Sequence, residues 1–205
     1  KIAYGPRLGC PPGMEPALIE KNVFAGADIV TQRKLTTGAK QFPSYAFDFH
    51  VVVAEIDRET CEISLRKYLV VHDCGTVLNP LVVDGFVYGG IGHGIGGALY
   101  ENFAYNESGQ LMAASFMDYL MPTAAEVPSV ELHEMCTPTP RHPYGAKGAA
   151  EGAYMTTPSA VASAIEDALA PLDIRINQVP ITPQLIFDEM TARNVSVDQR
   201  VGTSA

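Results

Sequence analysis

The sequence predicts an α+β fold of mixed hairpins and helices. Two runs rich in β-branched residues, Tyr45 to Asp57 and Cys61 to His72, flank a polar turn. Two other stretches, Leu81 to Asn102 and Pro158 to Leu169, carry helical spacing. Strands and helices then follow one another without the strict alternation that builds a wholly parallel sheet.

The first stretch, Lys1 to Phe42, is irregular, broken by Pro6, Pro11, Pro12, Pro16 and several glycines. Only Glu15 to Phe24 has the makings of a short helix there. Val51, Val52, Val53 and Ile56 mark the first strand. Asp57-Arg58-Glu59-Thr60 turns the chain, and Ile63, Leu65 and Tyr68 alternate with polar neighbours on the return, which predicts a hairpin. Asp73-Cys74-Gly75 ends that strand. Asn79-Pro80 opens a helix, because proline at the first helical position loses no hydrogen bond.

One long helix over Leu81 to Asn102 is the expectation, although the glycines from Gly89 to Gly97 weaken it. Phe103 to Ala113 fits a second hairpin turning at Asn106 to Gly109, and Val130 to Met135 a short strand. Pro158 to Leu169 places Val161, Ala164, Ile165 and Ala168 on one helical face, with Glu166 and Asp167 opposite. Pro183 to Met190 is a last short helix. Residues 1–190 read as one domain and 191–205 as a polar tail, with no internal repeat or low-complexity linker.

Composition bounds the partners. A net charge of -9 excludes the basic face that a nucleic-acid phosphate backbone needs. Apolar helical stretches are interrupted by glycine, proline or charge, so no membrane span is expected. No signal peptide is expected at Lys1, and a first residue other than Met fits a fragment or a processed subunit. Cys10, Cys61, Cys74 and Cys136 form no CxxC pair and lie at no zinc-finger spacing from a histidine. No metal site of the chain's own side chains is predicted, and reduced, cytoplasmic thiols are.

Candidate functional residues fall in two segments. Gly92-His93-Gly94-Ile95-Gly96-Gly97 matches GxGxxG literally. A dinucleotide site would need a strand before it and a helix after it, and Asp84-Gly85 and Gly89-Gly90 spoil the strand. A glycine-rich helix that lets a ligand or another backbone approach is the better reading. His93, among small neighbours, would be accessible to a ligand. Asp73 and Asp84 are candidate acids, with Asp73 reading better as a turn former, and Asp118-Tyr119 reads as a buried hydrogen-bonded pair.

The second segment is Gly145-Ala146-Lys147-Gly148-Ala149-Ala150-Glu151-Gly152. No large neighbour shields Glu151, and a helix follows whose dipole favours its charged form. It is either a catalytic base or a simple helix cap. Lys147 is a candidate to neutralise it.

In order along the chain, several motifs resemble one family. They are His72-Asp73-Cys74-Gly75 with Leu78-Asn79-Pro80, Gly89 to Gly96 with Ala98 to Glu101, Asp118-Tyr119 with Pro122, and Gly145 to Glu151. They resemble the molybdenum hydroxylases, the xanthine dehydrogenase and aerobic carbon monoxide dehydrogenase family, from about Pro12 to Met190. The resemblance implies the C-terminal portion of the molybdopterin-binding domain of the large subunit.

It further implies a molybdopterin cofactor carrying molybdenum, as the cytosine dinucleotide in a bacterial source, with the metal held by the pterin dithiolene. Glu151 would be the general base in oxidation of an aldehyde, a purine, another N-heterocycle or carbon monoxide with water-derived oxygen. Gly92, His93, Gly94, Lys147, Gly148, Ala149 and Ala150 would approach the cofactor. The rest of the large subunit and iron-sulfur (2Fe-2S) and FAD subunits would complete the enzyme, and the isolated chain would be inactive.

His93 stands where the family usually has glutamine, and Ala150 where it has glycine. Two rivals stand beside this reading. One is a non-catalytic assembly or cofactor-delivery module of the same fold. The other is a dinucleotide-binding domain at Gly92 to Gly97.

Overall fold

The computed structural model describes residues 46–140 and 143–195. The expectations for 1–42, including the Glu15 to Phe24 helix, and for the tail beyond 195 lie outside these residues. Within them the fold is α+β.

Strand β1 (Phe47–Ile56) pairs antiparallel with strand β2 (Ile63–Asp73), from Phe47↔Asp73 to Ile56↔Ile63. The turn forms where the sequence places it. Asp57 accepts the N–H groups of Glu59 and Thr60 and the Thr60 hydroxyl, and Cys61 takes a φ of 59° to re-enter the sheet. Strand β3 (Val130–Met135) adds parallel to the other edge of β2. A parallel neighbour needs a crossover, and helix α1 (Pro80–Ile95) lies in that crossover. One βαβ unit is therefore present, although periodicity alone does not suggest it.

Asn79 caps α1 by accepting the Val82 N–H, with Pro80 in the first turn. The helix is shorter than the expected Leu81 to Asn102. It widens into a π turn at Gly96–Tyr100 and stops. The Glu101 carboxylate and Pro122 crowd this point, within 2.2 Å and 3.0 Å of where a Gly96 Cβ would sit. The second hairpin is also reduced: one bridge, Tyr105↔Leu111, closes around Asn106. Its residues are largely exposed, and a two-stranded ribbon without an apolar partner is marginal.

Helix α2 spans Gly152–Leu169 and begins six residues before the expected Pro158. Hydroxyls of Thr156 and Thr157 donate to the carbonyls of Gly152 and Ala153, and packing against α1 secures this first stretch, so proline does not set the start. Helix α3 (Pro183–Ala192) follows prediction, with Thr182 accepting the Leu185 N–H.

Helix α2 lies between the sheet and α1. Tyr68 and Val70 of β2, Val87, Ile91 and Ile95 of α1, Val161 and Ile165 of α2, and Ile186 and Met190 of α3 are all buried in one core. The outward positions of β1, Phe47, Phe49, Val51 and Val53, are exposed, while Asp48 and His50 turn toward α2.

Candidate active site

Two glycines fix the entrance of the 145–152 segment. Gly75 has a φ of 70° and Gly145 a φ of 71°, a region that favours glycine. A Cβ on Gly75 would lie 2.3 Å from the Gly145 carbonyl oxygen. That carbonyl accepts the N–H groups of Thr76 at 3.2 Å and Thr139 at 3.0 Å. Lys147 N–H then donates to the Cys74 carbonyl at 2.7 Å.

Asp73 completes the anchor. It accepts Gly75 N–H at 2.8 Å, Thr137 N–H at 3.1 Å and Lys147 Nζ at 3.2 Å. Burial pushes its pKa up, but hydrogen bonds from Thr137, Gly75 and Lys147 outweigh burial and hold it well below the usual carboxylate range. Asp73 is the turn former that its sequence position suggests, and an ion-pair partner as well.

Lys147 is thus turned toward Asp73. No ion pair joins it to Glu151, so the expected neutralisation does not occur. Its Nζ also lies 5.3 Å from the centre of the Phe47 ring.

Beyond Lys147 the chain opens. The N–H groups of Gly148, Ala149 and Ala150 bond no described residue, and a Cβ on Gly148 would meet nothing within 4 Å. Glu151 is exposed and stands at the N-cap of α2, where its side chain makes no capping hydrogen bond. The simple-cap reading of Glu151 is therefore not what the structure contains. Its carbonyl accepts Met155 N–H at 3.0 Å.

The glycine-rich stretch divides by neighbour. A Cβ on Gly90 would sit 2.8 Å from Tyr154 N, and one on Gly94 2.5 Å from Thr157 Cβ. Gly90 lets α1 reach the backbone of α2, and Gly94 makes room for the Thr157 side chain. Gly92 is half-buried, with Val127 Cγ2 at 3.7 Å from a built Cβ. His93 is exposed and lies flat on Tyr154, ring centres 4.1 Å apart and planes 18° apart. Tyr154 is in the first turn of α2, so this crossing brings His93 to the helix end that carries Glu151.

Two expectations need correction. The GxGxxG match runs through α1 and its π turn, not from a strand into a helix. It therefore lacks the helix N-terminus that holds a pyrophosphate, and the dinucleotide rival falls. Asp118 and Tyr119 are not a buried pair. Asp118 is exposed and accepts the Ser115 hydroxyl at 2.7 Å, while Tyr119 donates to Glu101. The π turn brings Glu101 within reach of Tyr119.

A buried polar network beneath α2 escapes sequence reasoning. His50 Nδ1 lies 2.7 Å from Tyr68 Oη, and Tyr68 donates to Thr157 Oγ1 at 3.0 Å. Thr157 donates onward to the Ala153 carbonyl at 2.7 Å. Tyr68 already donates, so it must accept from His50, which places a proton on His50 Nδ1. Burial lowers the His50 pKa, opposed by the Asp48 carboxylate, and pushes Tyr68 up to about 12. Asp48 bonds His72 beside it. The one signal in the sequence is that Asp48 and His50 share a strand face.

Among the described residues no group of three His, Cys, Asp or Glu could hold a metal ion. No described helix is long and apolar enough to cross a membrane. The segment does fit a large polar cofactor: amides that bond no described residue, an open glycine and small side chains precede a helix N-terminus.

The profile of the family described as "Molybdopterin cofactor-binding domain" matches residues 8–128. This chain belongs to the molybdenum hydroxylase family. Among its molybdenum hydroxylase relatives, the carbon monoxide dehydrogenase large chain of Hydrogenophaga pseudoflava is 32% identical over 154 residues, 75% of this chain and 19% of the relative. The nicotine 6-hydroxylase large subunit of Paenarthrobacter nicotinovorans is 35% identical over 144 residues, 70% of this chain and 18% of the relative.

Quinoline 2-oxidoreductase of Pseudomonas putida 86 superposes with a TM-score of 0.68 at 42% identity, covering 69% of this chain and 18% of its own. The Cu,Mo-CO dehydrogenase superposes with a TM-score of 0.72 at 32% identity, covering 75% of this chain and 19% of its own. The chain spans about a fifth of the length of these molybdenum hydroxylase subunits.

Proposed function

We propose that this chain is the C-terminal, cofactor-binding part of the large subunit of a molybdenum-dependent hydroxylase, with Glu151 as its general base. The carrying observation is the state of Glu151. It is exposed at the start of α2, makes no capping hydrogen bond, is unpaired with Lys147, and is adjacent to the amides of Gly148 to Ala150, which bond no described residue.

When bound, a molybdopterin supplies a two-electron redox centre that inserts water-derived oxygen into a small substrate. The amides of Gly148, Ala149 and Ala150 would donate hydrogen bonds to it, and their small side chains allow backbone contact. Gly92 and His93 would line its other side, with Tyr154 holding the imidazole flat. Lys147 and Gly94 serve through the frame: Lys147 anchors the loop to β2, and Gly94 brings α1 against α2. A Glu151 carboxylate oxygen would accept the proton released as oxygen passes to substrate.

The pterin dithiolene, not side chains, would hold the metal. The cofactor would be the cytosine dinucleotide form, and 2Fe-2S and FAD subunits would carry electrons away in a cytoplasmic complex. Relatives named for nicotine and quinoline support N-heterocycles, beside aldehydes, as candidate substrates.

The test is Glu151→Gln in the complete complex. Substrate-driven reduction of the metal centre, compared at equal molybdenum content, should slow by about 10²–10⁴-fold. A near-normal rate would remove the base, and an active preparation free of molybdenum and pterin would remove the wider reading.

A further inference from the structure

We infer that Asp48 and His72 form a positioning pair that fixes the backbone under Glu151. The inference rests on the reading of Glu151 as base. Asp48 on β1 and His72 on β2 are directly opposed in the sheet register. His72 Nδ1 bonds Asp48 Oδ1, and the two side chains are 1% and 3% exposed. That bond orients the carboxylate and leaves Oδ2 facing α2. A Cβ built on Gly152 would lie 1.9 Å from Asp48 Oδ2. The carboxylate is therefore in van der Waals contact with the first residue of α2, the immediate neighbour of Glu151, and only glycine fits there.

Consecutive residues of β2 thus hold the two ends of one short segment. Asp73 grips Lys147 at its entrance, and His72, through Asp48, braces Gly152 at its exit. Gly148 to Glu151 lie between, with no backbone N–H of Gly148 to Ala150 bonded to a described residue. A segment so free of internal hydrogen bonds takes its shape from its ends.

Stability does not account for the pair. Two ionisable groups are removed from water, and His72 Nε2 finds no partner among the described residues. Apolar side chains of similar volume usually serve a sheet-to-helix contact as well or better. They would offer His72 no acceptor, and so would not fix the orientation of the group packed against Gly152. Both groups are buried and cannot touch substrate, so their action runs through the backbone of Gly152.

The test uses the complete, molybdenum-loaded complex. Asp48→Ala should lower the limiting rate of metal-centre reduction per molybdenum by about 10–100-fold, the scale of a small misplacement of a catalytic group, with substrate affinity unchanged. Amide hydrogen exchange of Glu151 to Met155 should speed up while that of Tyr68 and Val70 does not. Asp48→Asn keeps an oxygen for His72 and the volume against Gly152, and should restore both readouts. If Asp48→Ala yields no folded complex, Gly152→Ala strains the same contact from the other side and should give the same pattern.

Wild-type rate and exchange in Asp48→Ala or Gly152→Ala would overturn the inference while leaving Glu151 as base. A normal rate in Glu151→Gln would overturn the base reading. Exchange in Asp48→Ala would then still decide whether the pair fixes the segment.

Discussion

Lys147 Nζ lies 3.2 Å from Asp73 Oδ1, with side chains only 6% and 9% exposed. This contact ties the segment bearing Glu151 to the end of β2, and it commits the nearest lysine in sequence to a different carboxylate. Among the described residues Glu151 forms no ion pair, and Asp73 holds the Lys147 cation.

Breaking the pair should loosen the segment. Lys147→Met leaves a buried carboxylate whose remaining donors are Thr137 and Gly75. Loss of one partner of a buried pair costs about 3–5 kcal/mol, and the surviving donors place this case near the lower end. Denaturant unfolding of the intact protein reads the loss. An unchanged midpoint would show that the pair contributes nothing.

Acid should destabilise the fold in two separate windows. Asp73 has a folded pKa below its ordinary 3.8, so the unfolded chain binds its proton first. Its contribution is complete above that value and is lost as pH falls through the folded one. His50 is also held below its ordinary 6.5, by burial. Its unfolded ring takes a proton that the folded ring refuses, so stability also falls as pH drops below 6.5. Unfolding midpoints against pH should be flatter for Asp73→Asn in the lower window and for His50→Gln in the upper one. Slopes equal to wild type would refute the assignments.

Glycines in α1 should respond oppositely. A Gly94 Cβ would meet Thr157 Cβ at 2.5 Å, so Gly94→Ala must part the helices, at about 1–3 kcal/mol. Gly89 is exposed in the same helix with nothing within 4 Å of a built Cβ. Gly89→Ala should gain about 1 kcal/mol of helix propensity. Thermal unfolding of the two variants checks the contrast, and similar shifts would refute the division between packing and open glycines.

His93 can be tested by cofactor content. His93→Gln keeps a hydrogen-bonding group at the Tyr154 face and should retain as much pterin per protein as wild type, or more. Tyr154→Ala removes the surface on which the ring lies and should lower pterin content. Loss of pterin in a folded His93→Gln protein would remove His93 from the proposed cofactor contacts.

Local signals account for much of the fold. The β1–β2 hairpin, strand Val130–Met135 and helix α3 stand where the sequence places them, because β-branched runs, an Asp57 turn and a Thr182-Pro183 start act over a few residues. The motif order from His72 to Glu151 was equally legible as a family resemblance, and so was the exposed carboxylate ahead of a helix.

Contacts between distant residues decided the rest. By alternation alone, Phe47, Phe49, Val51 and Val53 are the natural core face of β1, yet they face outward. Asp48 and His50 face inward because His72, Tyr68 and Thr157, remote in sequence, meet their hydrogen bonds there. Helix α2 begins at Gly152 and not at Pro158, since Gly90 and Gly94 let α1 close on its first turns. Whether Lys147 would pair with Glu151, four residues away, or with Asp73, far earlier, was settled by the Gly75–Gly145 contact, which only a folded backbone can make. Sequence specifies residue chemistry and short-range geometry; the partner that each buried polar group finds depends on which strands and helices the fold brings to within a few ångströms.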